Sequence, residues 1–163
     1  MNRVLRHLTT TRWRLRRDFP DSVLADIEAA IRAGEQSHGG EIRFAIETCL
    51  EARQLWAGTT ARQRAASLFA GLGVWNTAAN NGVLIYLLLA ERDIEIVADR
   101  GLDGLVTPAE WESACRCMET EFRAGHYREG ALAGISRVSE LLTRHFPRLA
   151  GDRNELPNRP VLL

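Results

Sequence analysis

The side chains best placed for chemistry lie in the twelve residues from Asp99 to Glu110, which read Asp-Arg-Gly-Leu-Asp-Gly-Leu-Val-Thr-Pro-Ala-Glu. Laid against the calcium-loop pattern D-x-[DN]-x-[DN]-G-x5-E, Asp99, Asp103, Gly104 and Glu110 fill positions one, five, six and twelve. Carboxylate oxygens at that spacing suit a hard divalent cation, for which Asp99, Asp103 and Glu110 are the candidate ligands. Two features depart from the pattern: Gly101 stands at position three, and a strand instead of a helix leads into the loop. The competing reading is a strand-to-helix turn, in which Thr107 and Glu110 form a capping box and the glycines supply turn geometry. A second polar group, Asn80-Asn81-Gly82, opens an apolar stretch and suits a turn with positive φ. Its functional reading is a strand-edge loop that sets polar groups beside Asp99–Asp103.

Other chemistries find little support. All 21 basic residues are arginine, which excludes a P-loop lysine, a Schiff base and a lysine general base. His7, His38, His126 and His145 are scattered, with no pair at metal-ligand spacing. Gly71-Leu72-Gly73 follows a helix and precedes a strand, the reverse of the order a dinucleotide loop needs. Cys49, Cys115 and Cys117 form no framework; on a helix the last two point about 200° apart. No G-x-S-x-G elbow occurs.

These groups must be held by the elements around them. From Asp21 to Glu35, Leu24, Ile27 and Ile31 repeat at helical spacing, with Asp21 or Ser22 as a cap. Glu41–Thr48 alternates, with Ile42, Phe44 and Ile46 on one face, and reads as a strand. An irregular stretch follows, and then Thr60 and Gln63 open a helix with a capping box. Gly82–Ala90 is apolar on both faces, as a central strand would be. A turn at Glu91-Arg92-Asp93 folds Ile94–Ala98 back as a hairpin. Helices are expected from Thr107 to Gly125 and from about Tyr127 to His145, where Pro147 stops the last. The order predicts an α/β fold: a three-layer α/β/α sandwich over a small mixed sheet, with a β-α-β crossover and a hairpin. The chain divides into a basic arm at 1–20, an α/β domain at 21–147 and an extended tail at 148–163.

Length and composition, 163 residues and 45% apolar, fit one soluble domain. The net charge of zero hides an asymmetry. Six arginines and no acid fall within residues 1–17, leaving 15 arginines against 21 acids in the other 146 residues. An arm of that kind either docks on its own acidic domain or lies, through residues 3–17, on an anionic membrane surface. Overall neutrality argues against a nucleic-acid partner. No apolar run reaches the length of a membrane span, and the N-terminus lacks the apolar stretch of a secretory signal.

Taken in order, Asn81-Gly82-Val83-Leu84, the hairpin Glu91–Ile96, Gly101-Leu102-Asp103-Gly104, Phe122-Arg123-Ala124-Gly125, Tyr127, Gly130 and Gly134-Ile135 resemble the TPM-domain family. The likeness covers about residues 22 to 145. It is nearest the short bacterial branch, whose members show an arginine-rich arm and an Asn-Glu-Leu-Pro tail, here Asn154–Pro157. The resemblance implies a compact α/β/α domain. It also implies one of three roles: an accessory module for membrane proteins, a calcium- or magnesium-binding protein, or a metal-dependent acid phosphatase. By position, Asn80 replaces the acid of the family's Asp-Asn-Gly element, Asp103 stands for the glutamate of its Gly-x-Gly-x-Glu element, and Glu91 sits where a hairpin aspartate is common. Asn80, Asn81, Gly82, Arg100 and Arg123 are the implied binding residues. The family's signal peptide and C-terminal membrane helix have no counterpart here. The expectation is therefore a non-catalytic cytosolic accessory domain, peripheral to the inner membrane, for a membrane-associated protein partner; the alternative is a Ca2+- or Mg2+-dependent phosphatase.

Overall fold

Continuous apolar stretches place two strands at the centre of the molecule. In the computed structural model, which describes residues 2–163, β1 (Glu41–Glu47) and β2 (Gly82–Leu88) are buried along their whole length. They pair in parallel, Glu41 opposite Gly82 and Glu47 opposite Leu88. The β3 strand (Asp93–Ala98) folds back antiparallel to β2. Its hairpin turns at Arg92, which adopts the left-handed conformation (φ 54°). A two-residue strand, β4 (Val161–Leu162), pairs in parallel with β1 at Ala45 and Ile46. The sheet order is β3-β2-β1-β4.

Alternation along β2 divides the core. Val83, Ile85 and Leu87 face α3 (Asp21–Gly34), α6 (Pro108–Ala124) and α7 (Tyr127–His145), whose buried stripes include Ile27, Ile31, Met118, Phe122, Ile135 and Leu142. Leu84, Tyr86 and Leu88 face the opposite way, toward Ala61, Ala65 and Leu68 of α5 (Ala61–Gly71) and Leu156 of the tail. The expected three-layer α/β/α sandwich forms, with crossover and hairpin in place. Two glycines set the helix spacing at α6–α7: a Cβ on Gly134 would lie 2.1 Å from the Met118 sulfur, and one on Gly130 would lie 2.5 Å from the Phe122 ring.

Local detail departs from the sequence reading at four points. Pro20, not Asp21 or Ser22, is the N-cap of α3, and no side chain caps it. The stretch before Trp56 contains a short helix, α4 (Ala52–Trp56), with a Glu51–Gln54 capping box. The polar face of β1 does not meet solvent: Glu41, Arg43 and Glu47 are all buried, because the tail and α5 cover it. The segment 148–163 is more than an extended tail, since it supplies β4, buried Leu156 and buried Asn158.

The basic segment folds into α1 (Arg3–Thr9) and α2 (Arg12–Asp18). Both helices pack on the domain through His7 and Leu15, with Phe19 following in the core. Phe19 lies edge-on to Phe122 at 6.3 Å and tilted to Tyr127 at 5.4 Å, a geometry that suits aromatic quadrupoles.

Candidate functional site

The two polar loops singled out in the sequence meet at one end of the sheet. Asn80 holds a left-handed backbone (φ 53°), tolerable for asparagine, and its carbonyl accepts the Gly101 N–H at 2.9 Å. Gly101 can only be glycine, because a Cβ there would stand 2.4 Å from the Asn80 carbonyl oxygen and 2.7 Å from that of Ala79. Arg100 then reaches across to donate to Asn80 Oδ1 at 3.0 Å. Asn81 donates from Nδ2 to the Gly39 carbonyl, which joins this loop to the entry of β1. A cleft of about 450 Å³ opens beside Asn81, walled by Ala79, Phe146, Pro147 and Leu149.

The three proposed cation ligands have separate positions. Asp99 caps a single 3₁₀ turn at Arg100–Leu102 by accepting the Arg100 N–H at 2.8 Å, and its other oxygen is buried without a partner. Asp103 faces solvent. Glu110 accepts from Thr107 N–H, from the Thr107 hydroxyl and from Arg144. Those bonds, the Thr107 backbone donor foremost, hold its carboxyl down at about 2. Among the described residues, no group of three or more His, Cys, Asp or Glu is arranged to hold a metal ion. Arg123 pairs with Glu119 at 2.7 Å and sits near the far end of α6, about 22 Å of helix rise from Pro108. It takes no part in the loop pair.

The capping box is the stronger local role for Thr107 and Glu110. Thr107→Ala is expected to lower stability by about 1 kcal/mol in urea denaturation, with the fold unchanged by circular dichroism. An unchanged midpoint would show that α6 is held by packing alone.

Sequence reasoning missed a cluster of buried charge on the tail side. Glu41 accepts the N–H groups of Glu155 (3.0 Å) and Leu156 (3.1 Å). Arg43 donates to the carbonyls of Pro157 and Arg159. Asn158 donates to Glu35 Oε2 at 2.7 Å, while Glu35 Oε1 has no partner. Burial, and then the neighbouring Glu41, push the Glu35 carboxyl up to about 7. Burial also raises Glu41, against the two backbone donors that lower it. Acids and an arginine in a strand alternating with Ile42, Phe44 and Ile46 are an ordinary solvent-face pattern, so no local signal marked them.

A second surface gathers at the two termini. On α1, His7 points inward while Val4, Leu5 and Leu8 point out, with Leu8 73% exposed. On α2, Leu15 points inward and Trp13 is 70% exposed, with the Arg17 guanidinium 5.4 Å from its ring centre. Arg12 and Arg16 flank a shallow cavity whose other wall is Leu162 and Leu163 at the end of β4. The arm's ion pairs run Arg3–Glu91, His7–Glu91, Arg14–Asp18 and Arg17–Asp18; Arg12 and Arg16 enter none among the described residues.

A small mixed sheet sandwiched by helices, with two glycine-dependent loops locked together at one end, defines a compact α/β/α domain. The chain belongs to the TPM domain family, whose model matches residues 19–141. It is similar to the solution structure of the BA42 protein from the psychrophilic bacterium Bizionia argentinensis, at 29% identity and a TM-score of 0.77 over 87% of this chain and 93% of that one. It shares its fold with the N-terminal domain of a P. gingivalis protein, at 24% identity and a TM-score of 0.58 over 74% and 76% of the two chains. It does so too with the N-terminal domain of the cg2496 protein from Corynebacterium glutamicum, at 18% identity and a TM-score of 0.55 over 75% and 72%. No curated protein sequence matches this chain. No helix among the described residues is long and apolar enough to cross a membrane.

Proposed function

We propose that this chain is a non-catalytic accessory module that docks on an anionic membrane surface, where it meets a membrane-associated partner. The observation that carries the reading is the outward face of α1 and α2. Leu5, Leu8 and Trp13 are exposed beside the exposed Arg12 and Arg16, with Leu162 and Leu163 continuing the apolar area. Aromatic and aliphatic side chains interleaved with arginine form the composition of a helix lying in the headgroup layer, and neighbouring acids that would repel phosphate are missing from residues 2–17. The phosphatase alternative lacks a comparable support: Asp99 and Glu110 act as caps, and Asp103 faces solvent.

Co-sedimentation with phosphatidylcholine vesicles, with and without phosphatidylglycerol, tests the docking. Binding is expected only with the anionic lipid and is expected to weaken with salt. Arg12→Ala/Arg16→Ala is expected to weaken it by about 2 kcal/mol, or about thirtyfold. Equal binding of wild type and the double variant, or equal binding to neutral vesicles, would refute the reading.

A further inference from the structure

In open α/β sheets the crevice beyond the carboxyl ends of the parallel strands is the usual ligand position, because backbone groups there are left unpaired at the strand ends. In this chain that position is occupied by the chain itself. The chain leaving β1 continues to Leu50 and the chain leaving β2 to Glu91, and α1 contacts both through His7. Leu50 N–H donates to His7 Nδ1 at 3.0 Å. That bond places the ring proton on Nε2, which donates to Glu91 Oε1 at 2.7 Å. Arg3 Nε donates to the same oxygen at 2.8 Å, and its Nη2 reaches the Thr59 carbonyl at 2.5 Å. Burial works against the Glu91 carboxylate, but the two donors prevail and hold its carboxyl below the ordinary range. A cavity of about 290 Å³ continues from Glu91 past Thr10 and Arg14.

We propose that α1 is a removable plug, and that the crevice it fills at the ends of β1 and β2 is a binding site for a basic peptide segment. Each group in the crevice has the chemistry for such a ligand: the Glu91 carboxylate and the Thr59 carbonyl accept from cations, and Leu50 N–H orients a ring nitrogen. Arg3 and His7 are the chain's own stand-ins for that ligand. A seven-residue helix holds little structure by itself in water, so α1 stays folded through these contacts and can leave without dismantling the sheet. An anionic bilayer would favour departure, because Arg3 and Arg6 face inward when α1 is docked, with Arg6 Nε buried and unpartnered, and reach lipid phosphate only after release. This last step rests on the membrane reading; the crevice itself does not.

The test uses the full-length chain and a labelled synthetic peptide of residues 2–10. In the absence of lipid, Leu5→Pro, which breaks α1 at an exposed position, is expected to bind the peptide saturably, while wild type does not. Arg3→Ala/His7→Ala provides a second way to open the crevice should Leu5→Pro fail to fold. Adding Glu91→Gln to either is expected to weaken the peptide by about tenfold or more, since a charge-assisted bond becomes a neutral one. In wild type with phosphatidylglycerol vesicles, hydrogen exchange at the Leu50 amide is expected to quicken while β2 amides stay protected. No peptide binding by either folded, opened variant would overturn the site. A Leu50 amide equally protected on bound vesicles would overturn the lipid-driven release. Failure of the vesicles to bind leaves the peptide result standing, so the two readings fail separately.

Discussion

Removing residues 154–163 is expected to unfold the domain at neutral pH. The segment supplies β4, buried Leu156 and buried Asn158, and it satisfies the buried side chains of Glu41 and Arg43 in β1 and of Glu35 at the end of α3. Glu41 would lose both of its backbone donors, Arg43 both of its carbonyl acceptors, and Glu35 its amide donor. A buried charge stripped of its partners costs about 3–5 kcal/mol, and a domain has about 5–15 kcal/mol of stability in total. Water entering the vacated groove would offset part of the loss, so about 5 kcal/mol or more is the expected effect. Urea denaturation followed by circular dichroism reads it directly. A truncated chain melting within a few degrees of the full one would show that the tail is an appendage.

The second large effect is a dependence on pH. Glu35 carries a folded value of about 7 against an ordinary 4.5, because burial and Glu41 both disfavour its charge. A raised folded value means that the native state holds its proton longer than the unfolded chain does. The stability contributed by the neutral form is therefore fully present below about pH 4.5 and is lost as pH rises through 7. Above that point the loss approaches roughly 3 kcal/mol. Glu35→Gln keeps the size and the acceptor for Asn158 while removing the charge. It is expected to gain roughly 3 kcal/mol over wild type at pH 8 and close to nothing at pH 4.5. Urea midpoints across that range, compared for the two proteins, decide the matter; parallel curves would mean that Glu35 titrates as an exposed carboxylate. Glu41, also raised by burial, adds a slope of the same sign to both.

Much of the fold was legible because its signals are local. The Thr60–Gln63 and Thr107–Glu110 capping boxes form as read. Pro108 starts α6, and Gly125 ends it in the left-handed region (φ 88°). The doubly apolar stretch after Asn81 is the central strand β2, and Glu91-Arg92-Asp93 turns the hairpin. In each case a few neighbouring residues state both the element and its limit. The candidate site was legible in part: Asn80 and Arg100 do meet, while Arg123 lies at the other end of its helix. Spacing along a chain says nothing of direction once a helix has carried a residue about four turns away.

By itself, then, the sequence determined the helix starts, the central strands, the hairpin and the glycine-bound loop between β3 and α6. Each depends on backbone geometry and side-chain bonds within a handful of residues. Only the tertiary structure decided that Glu35, Glu41 and Arg43 are buried, that the last residues form a strand, and that the basic segment folds back on Glu91. Those outcomes rest on partners 84 to 123 positions apart, such as His7 with Glu91 and Glu35 with Asn158. A charged residue carries the same local pattern whether it faces water or a distant segment. Which of the two it meets is settled when the sheet face is covered, because burial is a property of the assembled layers.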